Sequence, residues 1–180
     1  VLTSDIDCTM ELTAKDFGVR MGLRFVKGLA RKDAEAIVRA RCSSLAFSSI
    51  EDLARRTGIG RPALEVLAEA GALEGLENDR RRALWEVGSA SSASPAMLAL
   101  EESSSTPTFD LLSDFETIAW DHLRTSHSVR GYPLEPLREE LRRRGLPTAV
   151  ELARARGGSQ ARFAGIVICR QRPSTAKGVV

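Results

Sequence analysis

Aromatic residues make up only 5% of this 180-residue chain, with two Trp and one Tyr, so its core has to be aliphatic. Apolar runs are broken by Arg, Glu or Gly every few residues, far short of the roughly 18–20 residues that span a bilayer, which excludes membrane insertion. The three cysteines, Cys8, Cys42 and Cys169, lie far apart with no Cys-x-x-Cys pair, and only two histidines are present. A disulfide scaffold, a structural zinc site and a His-rich phosphoesterase metal cluster all lack their ligands. His122 and His127 are five residues apart, poor spacing for one helical face, and are expected at the surface. Cys42 has no His beside it and reads as an inert or mildly buried thiol. There is no basic-then-apolar leader and the chain opens on Val1, which predicts a segment of a larger reading frame in a reducing cytosol.

What is present is 43% hydrophobic and 28% charged, enough for one sizeable core or two small ones. The net charge of +2 hides an asymmetry, because the last 24 residues carry Arg162, Arg170, Arg172 and Lys177 and no acid. A polyanion contact is expected there.

Residues alternate from Cys8 to Leu12 and from Phe17 to Leu23, with Phe17, Val19, Met21 and Leu23 on one side, which predicts a small β-hairpin. Phe25–Ala30 followed by Asp33–Arg41 reads as helix, tight turn, helix. Ser48-Ser49-Ile50-Glu51 has the form of a capping box opening a further helix, which stops at Thr57-Gly58-Ile59-Gly60. Pro62 suits the first turn of the next helix, whose stripe of Leu64, Leu67 and Ala68 ends at Gly71. Asp79–Val87 adds a short helix with Arg80, Arg81 and Arg82 outward. Residues 89–108 are rich in Ser and read as a flexible linker. Helical spacing returns at 113–124, with Phe115, Ile118, Ala119 and Trp120 on one side, then at 136–144 and 148–155. From Ala161 to Cys169 the pattern is strand-like. The arginine runs 80–82 and 142–144 are flanked by acids and are expected to be solvated faces.

Two corners stand out. In a helix-hairpin-helix a Gly-apolar-Gly turn lets backbone approach a phosphate while the next helix aims free amides and its positive dipole end at the same oxygen, which ignores base sequence. Gly58, Ile59, Gly60 and Arg61 fit this pattern. Gly28, Leu29, Arg31 and Lys32 fit it less well, because Ala30 takes the place of the second Gly. The plain alternative is a compact corner with Gly as a helix C-cap. Arg170, Arg172 and Lys177 are further candidates for a nucleic-acid backbone, and Phe163 could stack a base or pack a core.

Three stretches carry a family resemblance: residues 19–29, residues 49–56 with 69–73 and 81–85, and above all Ala164–Val180, which contains Arg170-Gln171-Arg172-Pro173-Ser174-Thr175-Ala176-Lys177-Gly178. Together they resemble the C-terminal third of bacterial C-family DNA polymerases, in particular the error-prone type of the polymerase III alpha subunit. Ser174 stands where that family usually has Gly, and Tyr132 stands where His is common. The resemblance implies a mainly α fold: the end of a preceding domain over 1–12, a tandem helix-hairpin-helix DNA-binding domain over 13–88, the linker over 89–108, a helical connector over 109–156 and an incomplete OB-fold start over 157–180. It implies a cytoplasmic bacterial nucleotidyltransferase that acts in DNA damage tolerance, repair and replication, with this segment gripping template-primer duplex during translesion synthesis. Single-stranded template at the OB-fold and other translesion or replication proteins are implied as partners, and no membrane. Mg2+ is implied for the parent polymerase and no cofactor for this segment, since Asp5 and Asp7 lie before the hairpin region and lack a framed third carboxylate. No activity is expected from the segment alone. The competing expectation is a helical interaction module that docks on a replication or repair protein.

Overall fold

The alternating residues near the start do pair: β1 (Thr9–Leu12) runs antiparallel to β2 (Phe17–Arg20), with Met10 opposite Val19 and Leu12 opposite Phe17. This computed structural model describes residues 1–13, 16–43, 46–90 and 107–167. Two compact units result, Val1–Arg130 and Gly131–Val180. In the first, after a single 3-10 turn at Leu23–Phe25, come α1 (Arg31–Cys42), α2 (Ile50–Thr57), α3 (Arg61–Glu69), α4 (Arg80–Ala90) and α5 (Asp114–Thr125). The second contains α6 (Arg138–Arg143) and α7 (Ala149–Ala153).

The helix expected before the first corner is only that 3-10 turn. The amides of Leu23 and Arg24 are drawn to the carbonyls of Asp5 and Ile6 at 2.8 and 3.0 Å, so the chain is held extended until one turn before Gly28. Gly22 is required there, because a Cβ would sit 2.4 Å from the backbone of Asp7. At α2 the cap falls one residue later than expected. Ser49 is the N-cap and accepts from the Asp52 amide at 3.0 Å, while the Asp52 carboxylate accepts from the Ser48 amide at 3.2 Å.

The core of the first unit is aliphatic, as the composition requires. Ile37, Leu53, Leu67, Leu73 and Val87 are sealed at its centre, and Phe47 is its one buried aromatic among the described residues. Arg56 closes the loop between α1 and α2: its guanidinium lies 4.5 Å from the centre of the Phe47 ring and donates to the Ala40 carbonyl at 2.8 Å and to Asp52 at 3.2 Å.

On α5 the buried face matches the expected stripe only in part, at Ile118 and the half-buried Trp120. Phe115 and Ala119 are exposed, whereas Ile118 and Asp121 face inward. Asp121 pairs with the nearly buried Arg80 of α4 at 2.7 Å and accepts from the Ser128 hydroxyl at 2.7 Å, and Arg80 also donates to the Glu69 carbonyl. Arg80 reaches this position across Gly71, whose φ of +69° and missing Cβ leave the space that the guanidinium fills. Arg81 pairs with Glu116 at 2.8 Å. The arginine run 80–82 is therefore not a solvated face: two of its members tie α5 to the helices before it. In the run 142–144 the expected exposed pairing with Glu139 and Glu140 is present.

In the second unit neither short helix has a buried residue, and α7 begins with a Thr148–Glu151 capping box. Residues 161–167 form no strand, which departs from the strand-like pattern. A strand needs a ladder partner, and the described residues supply none. The rest of that pattern, from 168 to 180, lies outside the described residues, as do residues 91–106 of the Ser-rich stretch. Cys42, expected inert or mildly buried, is exposed.

The Asp52 cap gives a pH test. The hydrogen bond from Arg55, and then the Ser48 amide, hold its carboxyl down to about 2. A depressed folded-state pKa contributes stability above the unfolded value, and that contribution disappears as pH falls through about 2. Asp52→Asn is expected to lower the melting temperature at neutral pH and to converge with the parent chain in acid, read by thermal denaturation across the acid range.

Candidate nucleic-acid interface

The first amides of a helix have no intrahelical acceptor and need a cap, water or a ligand. Neither α1 nor α3 has a side-chain cap, because their N-cap residues are Ala30 and Gly60. At α3 the Gly60 carbonyl accepts from Ala63 and Leu64 at 3.1 and 3.2 Å, and Pro62 has no amide to satisfy. The amides of Gly60 and Arg61 are left with no acceptor among the described residues. At α1 the Ala30 carbonyl takes Asp33 and Ala34 in the same way, which leaves the backbone amides of Arg31 and Lys32 without acceptors among the described residues.

The corners themselves differ in what surrounds them. Gly58 has φ +68° and open space where a Cβ would stand, and its amide closes α2 onto the Ala54 carbonyl at 2.9 Å. Ile59 is 7% exposed, an apolar pin that holds the turn to the core while the glycines on either side stay at the surface. At the first corner Gly28 has φ +89°, and a Cβ there would come within 3.2 Å of Val66 on α3. Leu29 is half-buried against the core, and the Lys27 amide donates to the Arg124 carbonyl at the end of α5 at 2.7 Å. Both corners therefore rest on α3: one opens it at Arg61 and the other sits on Val66, five residues or about 7.5 Å further along.

Arg31 and Arg61 do not stand free. Each pairs with the glutamate four residues on, Arg31 with Glu35 at 2.9 Å and Arg61 with Glu65 at 2.7 Å. Exposed pairs of this kind are worth roughly 0–1 kcal/mol, so an incoming phosphate can replace the carboxylate at little cost. Lys32 is exposed with no ion pair among the described residues. Arg170, Arg172 and Lys177 lie outside the described residues. Asp5 and Asp7 do not fit a metal pair, since the Asp5 carboxylate accepts from the Ile6 amide and the Asp7 carboxylate is held by Arg24 at 2.7 Å.

Gly28, Leu29, Ala30, Arg31 and Glu35 recur thirty residues later as Gly58, Ile59, Gly60, Arg61 and Glu65, and the buried Ala34 and Ile37 recur as Leu64 and Leu67. The two corners are copies of one unit, with the same left-handed glycine and the same arginine–glutamate brace. The tandem expected from the sequence thus has an offset of thirty residues, which also aligns Glu35 with Glu65 and Ile37 with Leu67.

The helix-hairpin-helix motif family matches residues 1–83. An error-prone DNA polymerase from Alkalilimnicola ehrlichii is 39% identical over 98% of this chain, and those from Methylococcus capsulatus and Corynebacterium diphtheriae are 37% and 38% identical over 97% and 94% of it. Over nearly its whole length the chain is similar to one segment of these error-prone DNA polymerases. It spans about one sixth of those polymerases, between 16% and 18% of their length.

In this chain the two glycines of the second corner are expected to behave differently. Gly58→Ala puts a side chain into the left-handed region and should cost about 1–2 kcal/mol, although the space is open. Gly60→Ala, at φ −79°, should cost less than about 1 kcal/mol. Urea denaturation of both variants measures the difference, and equal losses would place the strain elsewhere.

Proposed function

We propose that this chain is a DNA-gripping segment of an error-prone DNA polymerase, holding template-primer duplex through sequence-independent phosphate contacts in support of translesion synthesis. The observation that carries the reading is the uncapped start of α3, where the amides of Gly60 and Arg61 lack acceptors among the described residues, beside a glycine with open space where a Cβ would stand. A phosphate oxygen there would gain two backbone donors, the helix dipole and the Arg61 guanidinium. Gly28, Leu29, Arg31 and Lys32 would take a second phosphate in the same manner, and Arg170, Arg172 and Lys177 would follow the strand further. The carboxylates that bind Mg2+ and carry nucleotidyl transfer belong to the rest of the polymerase, which acts in the bacterial cytoplasm; alone, this chain holds DNA without extending it. No described helix is long and apolar enough to cross a membrane.

Few phosphates are engaged, so affinity is expected to be modest and salt-sensitive. Two or three neutralised phosphates imply a loss of about ten- to fortyfold between about 50 and 200 mM salt. Fluorescence anisotropy with two duplexes of unrelated sequence should give equal affinities that fall together with salt. Arg61→Glu should weaken both and flatten the salt slope by about one unit without changing the circular dichroism spectrum. Binding that ignores salt, or none at low salt, would contradict the proposal. Loss of a protein partner with DNA affinity unchanged would favour the interaction-module reading.

A further inference from the structure

The hairpin of β1 and β2 is inside out. Thr9, Glu11, Gly18 and Arg20 form its half-covered face, with Arg20 paired to Glu11, while Met10, Leu12, Phe17 and Val19 point outward and are between 64% and 80% exposed. A hairpin that served only its own unit would turn the apolar set to the core and the ion pair to water. Cross-strand pairing joins the four side chains into one strip, Met10 beside Val19 and Leu12 beside Phe17, and a two-stranded ribbon with open edges is marginal by itself.

We infer that this strip is a docking surface for the remainder of the same polymerase polypeptide, against an apolar patch of a neighbouring domain. This inference rests on the polymerase reading above. Area identifies the occupant. Four side chains at this exposure offer on the order of 500 Å² of apolar surface. A stable complex of separate molecules covers about 800 Å² on each side, so neither a second copy of this chain nor a diffusing partner is held by the strip alone. A domain joined by the same backbone needs less, because tethering supplies an effective concentration in the millimolar range. Five sixths of the length of the related polymerases lies outside this segment and can supply that domain.

The test compares two contexts. Hydroxyl-radical labelling of Met10 and Phe17 is read by mass spectrometry in this chain alone and in the Alkalilimnicola ehrlichii polymerase with its matching segment replaced by this chain. Both residues should label strongly in the isolated chain and lose most of that labelling in the chimera; equal labelling overturns the inference. In the isolated chain, Met10→Asp combined with Phe17→Asp should leave the melting temperature and DNA affinity unchanged. A clear fall in melting temperature would mean that the strip serves its own unit and would overturn it without recourse to the chimera. A self-associating isolated chain that becomes monomeric in the double variant, by sedimentation, would overturn it in favour of a second copy. Protection in a chimera whose segment binds no DNA keeps the docking surface and removes the DNA-gripping reading; DNA binding without protection does the reverse.

Discussion

The start of α3 is left without a cap, and most of the candidate function follows from that. A Ser, Thr or Asp at position 60 would have stabilised the helix by folding its own oxygen over the free amides. Gly60 offers no such oxygen, and Pro62 removes a donor that would otherwise need one. The unit carries this cost because Ile59 anchors the turn from below, so the corner stays in place without a cap to hold it. In the proposed function this uncapped helix start, with the exposed Arg61–Glu65 pair beside it, is where a phosphate oxygen is received.

The same plan appears at α1, but its surroundings differ. There Gly28 leans on Val66, and the Lys27 amide is used by the last turn of α5. The position of α5 is in turn set by charge: Arg80 with Asp121, and Arg124 with Glu69, join it to α4 and α3. Removing one member of a buried pair leaves an uncompensated charge, which typically costs about 3–5 kcal/mol. The ion pairs thus hold up the back of the first corner, whereas the second depends mainly on apolar packing.

Local rules made the helices and both corners readable, because glycine at a positive φ, proline in a first turn and aliphatic residues at helical spacing act over a few positions. Nearly every helix of the first unit could be placed that way, as could Gly28 and Gly58. On α5 Ile118 could be placed, but the burial of Asp121 could not, since it depends on Arg80, which arrives from a helix more than thirty residues earlier. Nor does the hairpin follow its pattern: alternation puts Met10, Leu12, Phe17 and Val19 on one face and predicts that face inward, whereas all four are exposed. The Arg61–Glu65 pair follows from i,i+4 spacing on the helix that Pro62 opens.

The most direct measurement is an amide-resolved titration of the chain with a short duplex, followed by proton–nitrogen correlation NMR. The account predicts that the backbone amides of Gly60 and Arg61 show the largest downfield proton shifts, as expected for donors that gain a charged acceptor, with Arg31 and Lys32 next. Saturable shifts confined to other surfaces, with the Gly60 and Arg61 resonances unmoved, would contradict it.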